Sequence, residues 1–295
     1  MTFSTDIPVT EATAIRTDYD TLRIAPLTPV IGAEIGGIDL SQDLSNSQMA
    51  DIRDAFHAHS VLVFRDQALS RDDHKRFGRH FGALHVHPLN KARGGDPEIL
   101  IVKTTSESKY TAGDAWHTDV TCDAKPPLGS MLYITELPEI GCGGDTLFAS
   151  MYAAYEALSD TMKTFLEGLT AIHDGARPYV GAYNIAPPTG TDYPRNEHPV
   201  IGVHPETGRK LLYVNSGFTT RIKGLSRAES DSLLEMLFRH IEANVHFQCR
   251  VRWQPNTLVF WDNRCTQHHA AWDYYPHSRY GERVSIIGEP PAAVA

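Results

Sequence analysis

Cysteine is scarce in this 295-residue chain: Cys122, Cys142, Cys249 and Cys265 are the only four, and none stands in a C-x-x-C pair. Four isolated thiols are expected to stay reduced, as in a cytoplasmic protein. No apolar run approaches the roughly 18 residues of a membrane-spanning helix. The first residues, MTFSTDIPVTEA, lack the basic and apolar regions of a secretory signal. There is no run of lysine and arginine, and the net charge is −9, which argues against a nucleic-acid partner. An anionic substrate remains compatible with that balance, because one local arginine overrides the global field at short range. Repeats, composition shifts and low-complexity linkers are also missing. The expectation is one domain over residues 21–295 behind a flexible polar tail, 1–20.

With 41% hydrophobic residues, the chain can bury a sizeable core without covalent staples. Short β-branched or aromatic runs recur: VLVFRD (61–66), EILIVK (98–103), SMLYITEL (130–137), KLLYVN (210–215), TLVFWD (257–262) and RVSIIG (283–288). Turn residues bound most of them, as expected of strands. Ser45-x-x-Gln48 and Ser226-x-x-Glu229 have the form of capping boxes. The second precedes Leu233, Leu234, Leu237 and Ile241, which share one helical face. Residues 70–81 and 159–169 read as two further helices. Strands and helices do not alternate regularly, which argues against a doubly wound parallel sheet. A mostly β (α+β) fold with peripheral helices is expected: a sandwich, barrel or jelly roll. Residues 174–198 form a long connection rich in Pro, Gly and Tyr, expected to be a lid-like insertion or a pocket wall.

The stretch DAWHTDVT (114–121) places His117 and Asp119 two apart. On a strand both would point the same way. Alone, such a pair is half a metal site or two residues on a wet strand face. The segment 261–288 adds His268, His269, Arg279 and Arg283. Adjacent strand residues face opposite ways, so one of the two histidines at most joins a site, and the spacing to Arg279 tolerates either. Two imidazoles and one carboxylate on one face of a metal leave three positions open, as a mononuclear iron(II) oxygenase requires. Arginine pairs bidentately with carboxylate or sulfonate-like oxygens and keeps its charge when buried.

In these stretches the chain resembles the taurine dioxygenase (TauD/TfdA) family of Fe(II)/2-oxoglutarate-dependent dioxygenases. The resemblance is carried by WHTDVT (116–121), GGDTLFASMYAAYEALS (143–159), FTTRI (218–222), VRWQPN (251–256), WDNRCTQH (261–268) and the Arg279/Arg283 pair. IGAEIGGIDL (31–40) and FGALHVHP (81–88) extend it over nearly the whole chain from about residue 22. HxD alone is a weak motif; HxD, then GDT, then H-x10-R in that order is specific.

The resemblance implies a double-stranded β-helix, or jelly roll, working with Fe(II), 2-oxoglutarate and O2. It implies that His117, Asp119 and His268 bind the iron, and it selects His268 over His269. Thr146 and Arg279 would hold the distal carboxylate of 2-oxoglutarate. Arg283, His87 and Val120 would surround the substrate's anionic group, with Tyr179 and Phe218 lining the pocket. Taurine dioxygenase surrounds the amino end of its substrate with an aspartate–asparagine pair and a tyrosine, whereas Ala112, Gly113 and Asn90 stand at those positions here. A buried ammonium would lose its charge partner. The expected substrate is therefore a small molecule with an anionic head and a less cationic, larger or more apolar body, of alkyl sulfate, sulfonate or aryloxyalkanoate type. Hydroxylation would release succinate and CO2 and lead to cleavage of the product. The alternatives are taurine itself, with Asp114 as rescuer of the ammonium, and a biosynthetic hydroxylase or desaturase of a carboxylate-bearing natural product. A jelly-roll binding protein or a zinc hydrolase would leave Thr146 and Arg279 unexplained. A homodimer or homotetramer is expected by analogy.

Overall fold

The computed structural model describes residues 16–86, 95–187 and 189–294. Most of the expected tail, together with His87 and Asn90, lies outside the described residues. The chain runs β1 (Arg23–Pro26), β2 (Ala33–Gly36), α1 (Asn46–His59), β3 (Val61–Phe64), α2 (Arg71–Arg79), β4 (Leu100–Thr104), β5 (Gly129–Glu136) and β6 (Thr146–Ser150). Next come α3 (Met151–Glu156), α4 (Asp160–Leu166), β7 (Thr170–Asp174) and a π-helical segment, Arg177–Ala182. After these follow β8 (Arg195–Pro199), β9 (Ile201–Val203), β10 (Lys210–Leu212), β11 (Thr219–Ile222) and α5 (Arg227–Glu242). The chain finishes with β12 (Gln248–Val251), β13 (Thr257–Asp262), β14 (Thr266–Ala270), β15 (Arg279–Ile286) and β16 (Ala292–Ala293).

Each of the six apolar runs forms a strand, although KLLYVN contributes only its first three residues. Ser45 and Ser226 close both halves of their capping boxes, and Ser70 does the same with Asp73. Satisfying those amide donors stabilises each helix start by about 1 kcal/mol.

Strands β1-β2-β3-β13-β5-β15-β4 form a seven-stranded sheet, and β12-β6-β14 form a three-stranded one. Side-chain alternation in the large sheet explains how they pack. Leu62, Phe64, Met131, Tyr133, Leu258 and Phe260 point to one face, where Ile52 and Phe56 of α1 and Phe77 of α2 cover them. Phe56 and Phe260 stack there at 3.9 Å between centroids. Val61, Val63, Leu132, Ile134, Val259 and Trp261 point to the other face. They meet Phe148 of β6 and Cys249 and Val251 of β12. The central strands β3, β13 and β5 are thus buried on both faces, which is why they read as near-continuous hydrophobic runs, whereas the outer strands β1 and β4 are partly exposed. The space between the two facing sheets is where the chemistry-bearing side chains converge. Residues 174–198 are not featureless: they include the π-helical segment and most of β8.

Two histidines are buried as neutral groups that form no ion pair themselves. His74 on α2 bonds through Nε2 to the Met131 carbonyl at 3.2 Å, and burial pushes it down to about 4. His173 on β7 bonds through Nδ1 to the Thr121 hydroxyl at 2.9 Å, and burial pushes it down to about 3. The unfolded chain protonates both near pH 6.5. Their stabilising effect is therefore complete above pH 6.5 and is lost as pH falls towards 4 and then 3. Urea unfolding is expected to show about 2–3 kcal/mol less stability per histidine at pH 4.5 than at pH 7. His74→Gln should flatten that dependence, and an unchanged slope would mean that His74 exchanges protons as it does in the unfolded chain.

Candidate active site

The HxD stretch is not a strand, as the bare spacing suggests it could be. His117 alone pairs with a neighbour: its N–H donates to the His268 carbonyl at 3.0 Å, and the His268 N–H donates back at 2.8 Å. Beyond it the chain turns. Val120 sits at φ 48°, in the left-handed region that a β-branched residue seldom enters. The turn carries the chain away beyond the pair, while His117 and Asp119, two residues apart, still present their side chains to one side, with Nε2 3.9 Å from Oδ1.

His117, Asp119 and His268 offer ligand atoms that all lie within 4.8 Å of one another. Nε2 of each histidine stands 3.9 Å from Asp119 Oδ1. The His117 Nδ1–H donates to the Ala115 carbonyl at 2.8 Å, which leaves its Nε2 lone pair available. Burial holds both imidazoles below their ordinary value, so they are neutral, as ligation requires. Glycine makes room for His117. A Cβ at Gly217 would stand 2.8 Å from the His117 Cβ, and one at Gly113, where φ is 90°, would stand 3.0 Å from its Cε1. His269 lies on the opposite side of β14, with Nε2 3.5 Å from Asp114.

Asp119 is 3% exposed. Burial alone would raise its carboxyl, but the Arg283 guanidinium, helped by the Ser130 hydroxyl, outweighs burial and holds it well below the usual carboxylate range. Arg283 Nη1 donates to Oδ1 at 2.6 Å, and the Ser130 hydroxyl donates to Oδ2 at 2.8 Å. The Arg283 guanidinium, expected at the substrate anion, thus lies on the metal-facing carboxylate, while its Nε is buried without a partner.

Arg279 is 4% exposed, yet its Nε and Nη2 have no hydrogen-bond partner. Burial pulls this guanidinium below its ordinary value, as expected of a cation short of a counter-charge. It lies 5.3 Å from the Trp253 ring, and a Cβ at Gly144 would stand 2.9 Å from its Cδ. Thr146 accepts the Trp253 indole N–H at 3.1 Å, a bond that leaves the Thr146 proton unspent.

His117, Asp119, Thr146, Trp253, His268, Arg279 and Arg283 line one cavity of about 610 Å³. Val120, Tyr179 and Phe218 line it too, and pack together with Cys122. So do Ala112, Gly113, Leu100, Ile101, Val102 and Ile185. Tyr110 and Tyr183 stack at 4.9 Å on its wall, and the Tyr183 hydroxyl accepts the Gly113 N–H at 2.9 Å. Sequence reasoning missed Ser130, Tyr183 and Gly217. Ser130 sits in a run read only as a strand, and nothing in the sequence separates Gly217 from other turn glycines. Trp253 was visible only inside VRWQPN.

A second cluster, His204, Asp262 and Cys265, also has ligand-capable atoms close together. Its groups are already committed. Arg264 takes Asp262 at 2.6 Å, the His204 Nδ1 accepts the amides of Glu206 and Thr207, and its Nε2–H donates to Asp262. It reads as a buried structural network.

Neutral imidazoles, an ionised carboxylate and an orphaned guanidinium around one cavity belong to the chemistry of metal-dependent oxidation with an acidic co-substrate. Comparison with known proteins defines the family. The chain belongs to the family described as taurine catabolism dioxygenase TauD, TfdA family, which matches residues 23–285. An alkylsulfatase from Acinetobacter baylyi is 37% identical, covering 94% of this chain and 88% of the relative. An alpha-ketoglutarate-dependent sulfonate dioxygenase from Saccharomyces cerevisiae is 34% identical, covering 92% of this chain and 68% of the relative. The crystal structure of a taurine dioxygenase from Burkholderia xenovorans superposes with a TM-score of 0.80 at 33% identity, covering 93% of this chain and 92% of that one.

Gly217→Ala is expected to push His117 out of line and weaken divalent-metal binding at least several-fold while the fold stays intact. Calorimetry with Mn(II) beside a circular dichroism melt checks this, and parent-like affinity would show that the His117 backbone yields at no cost.

Proposed function

We propose that this chain is an Fe(II)- and 2-oxoglutarate-dependent dioxygenase that hydroxylates a small anionic organic substrate, of the alkyl sulfate or sulfonate kind. The observation that carries the reading is Arg279: a buried cation with two unpaired donors, in the same cavity as the His117–Asp119–His268 cluster. A buried charge without a partner is costly, and a dicarboxylate anchored beside a metal removes that cost. The residues fit the implied groups. His117, Asp119 and His268 would hold the iron, and Thr146 and Arg279 would grip the distal carboxylate of 2-oxoglutarate. In this reading the facing sheets are the two halves of a jelly roll, and residues from about 21 onward form one catalytic domain.

When bound, the iron and 2-oxoglutarate supply the oxidising chemistry, coupling decarboxylation to succinate and CO2 with transfer of one oxygen atom from O2 to a C–H bond. The chain's own residues position and shield the reactants. Arg279 and Thr146 orient the co-substrate, and Trp253 excludes water from beneath the guanidinium. Arg283 lines the cavity and, although its Nη1 is spent on Asp119, its unpartnered Nε is the donor that would face a substrate sulfate or sulfonate. Val120, Tyr179 and Phe218 give the substrate carbons an apolar surface. Hydroxylation at the carbon bearing the sulfur-linked group then lets the product collapse to an aldehyde and the released anion.

Two observations favour an apolar body over taurine. Ala112 and Gly113 line the cavity without charge, and Asp114 leans on His269 and is half exposed. Neither offers a buried counter-charge to an ammonium.

Arg279→Ala is expected to raise the 2-oxoglutarate concentration for half-maximal turnover by 30-fold or more, from the loss of roughly 2–5 kcal/mol for one partner of a buried charged pair. Metal affinity should stay unchanged, and an unchanged 2-oxoglutarate requirement would move the co-substrate site elsewhere. An anaerobic titration tests the substrate class. The visible charge-transfer band of the Fe(II)–2-oxoglutarate protein should shift on adding a medium-chain alkyl sulfate or sulfonate, and less on adding taurine. A larger shift with taurine would overturn the apolar-body reading.

A further inference from the structure

We infer that Ser130 is a positioning residue for Asp119, and that a one-way line of hydrogen bonds from Trp261 through Asn263 and Ser130 commits one carboxylate oxygen so that only the other faces the metal. The inference rests on the reading of His117, Asp119 and His268 as metal ligands.

Ser130 Oγ lies 2.8 Å from Asp119 Oδ2, 2.9 Å from Ser285 Oγ and 3.1 Å from Asn263 Nδ2. Trp261 Nε1 lies 2.9 Å from Asn263 Oδ1. Ser130, Asn263, Trp261 and Ser285 are all buried, so each donor and acceptor must be satisfied inside the protein. Counting protons then fixes every direction. An ionised carboxylate only accepts, so Ser130 spends its single proton on Oδ2. Its two lone pairs take the Asn263 N–H and the Ser285 proton. The Asn263 amide cannot flip, because its oxygen must face the indole N–H. Every bond therefore points towards Asp119.

The sheet register builds this line. Ser130 of β5 stands opposite Ser285 of β15 on one side and opposite Trp261 of β13 on the other. Arg283, two residues before Ser285 on β15, takes the other oxygen, Oδ1. The Trp261 ring also packs 4.9 Å from the His268 ring, so one side chain supports two of the three ligands. A carboxylate with Oδ2 committed occupies one coordination position. A freely rotating one could bind through both oxygens and take a position that the 2-oxoacid or O2 needs.

The test uses the full chain. Mn(II) affinity is measured by calorimetry, and the Co(II) d–d spectrum is recorded anaerobically, for the parent, Ser130→Ala, Ser285→Ala and Trp261→Phe. The last keeps an aromatic ring beside His268 but removes the N–H together with one ring of the indole, so its circular dichroism melt is compared with the parent's. Folded Ser130→Ala is expected to bind Mn(II) about 10-fold more weakly with a shifted Co(II) spectrum, and Trp261→Phe to change both in the same direction by less. Parent-like affinity and spectrum in Ser130→Ala overturn the inference. Should that variant not fold, parent-like behaviour of both Ser285→Ala and Trp261→Phe overturns it instead. A parent chain that binds neither metal overturns the ligand reading itself, and the positioning role with it.

Discussion

The rest of the structure is arranged around one difficulty: two guanidinium groups and a carboxylate buried between apolar sheets. Transferring such groups out of water costs several kcal/mol each unless they are paired and hydrogen-bonded. Arg283 and Asp119 meet that cost between them. Arg279 does not, and its unpaired donors line the cavity wall. The apolar area covered on both faces of the large sheet supplies the stability that tolerates this arrangement. A fold with only one buried sheet face would have less to offset it with.

Backbone conformation sets the fine geometry. Val120 holds a left-handed conformation that costs of order 1–3 kcal/mol, and that turn leads the chain away directly after Asp119. Gly113, Gly144 and Gly217 bring main chain closer to His117 and Arg279 than any side chain would allow. The site is positioned as much by what these residues lack as by what the ligating residues carry.

Much of the fold was legible in the sequence, and the physical reason is the double burial of the large sheet. TLVFWD reads as a strand because every one of its residues is inside. The capping boxes at Ser45 and Ser226 were equally plain. RNEHP of β8 escaped, because its charged side chains sit at largely exposed positions, whereas His268 and His269 face opposite ways on β14 as their adjacency on a strand requires. His117, Asp119 and His268 could be named from motif order, but their approach depends on the backbone pairing of His117 with His268, which no propensity rule encodes. Ser130 was hidden because a lone serine inside a hydrophobic strand looks like any other small residue. The Arg283–Asp119 contact joins the middle of β15 to a turn half the chain away, a pairing that the spacing of neither segment encodes. His87 and Asn90 lie outside the described residues.

The reciprocal bond between His117 and His268 has a consequence for how the protein matures. It joins segments from the first and second halves of the chain, and such distant pairings form late and slowly in folding. Until they meet, each half carries at most an incomplete donor set. A redox-active ion captured then would be held loosely and exposed to solvent. In the proposed reading the complete donor set therefore exists only once the two halves of the chain have met, and a chain shortened before β14 would keep only two of the three donors.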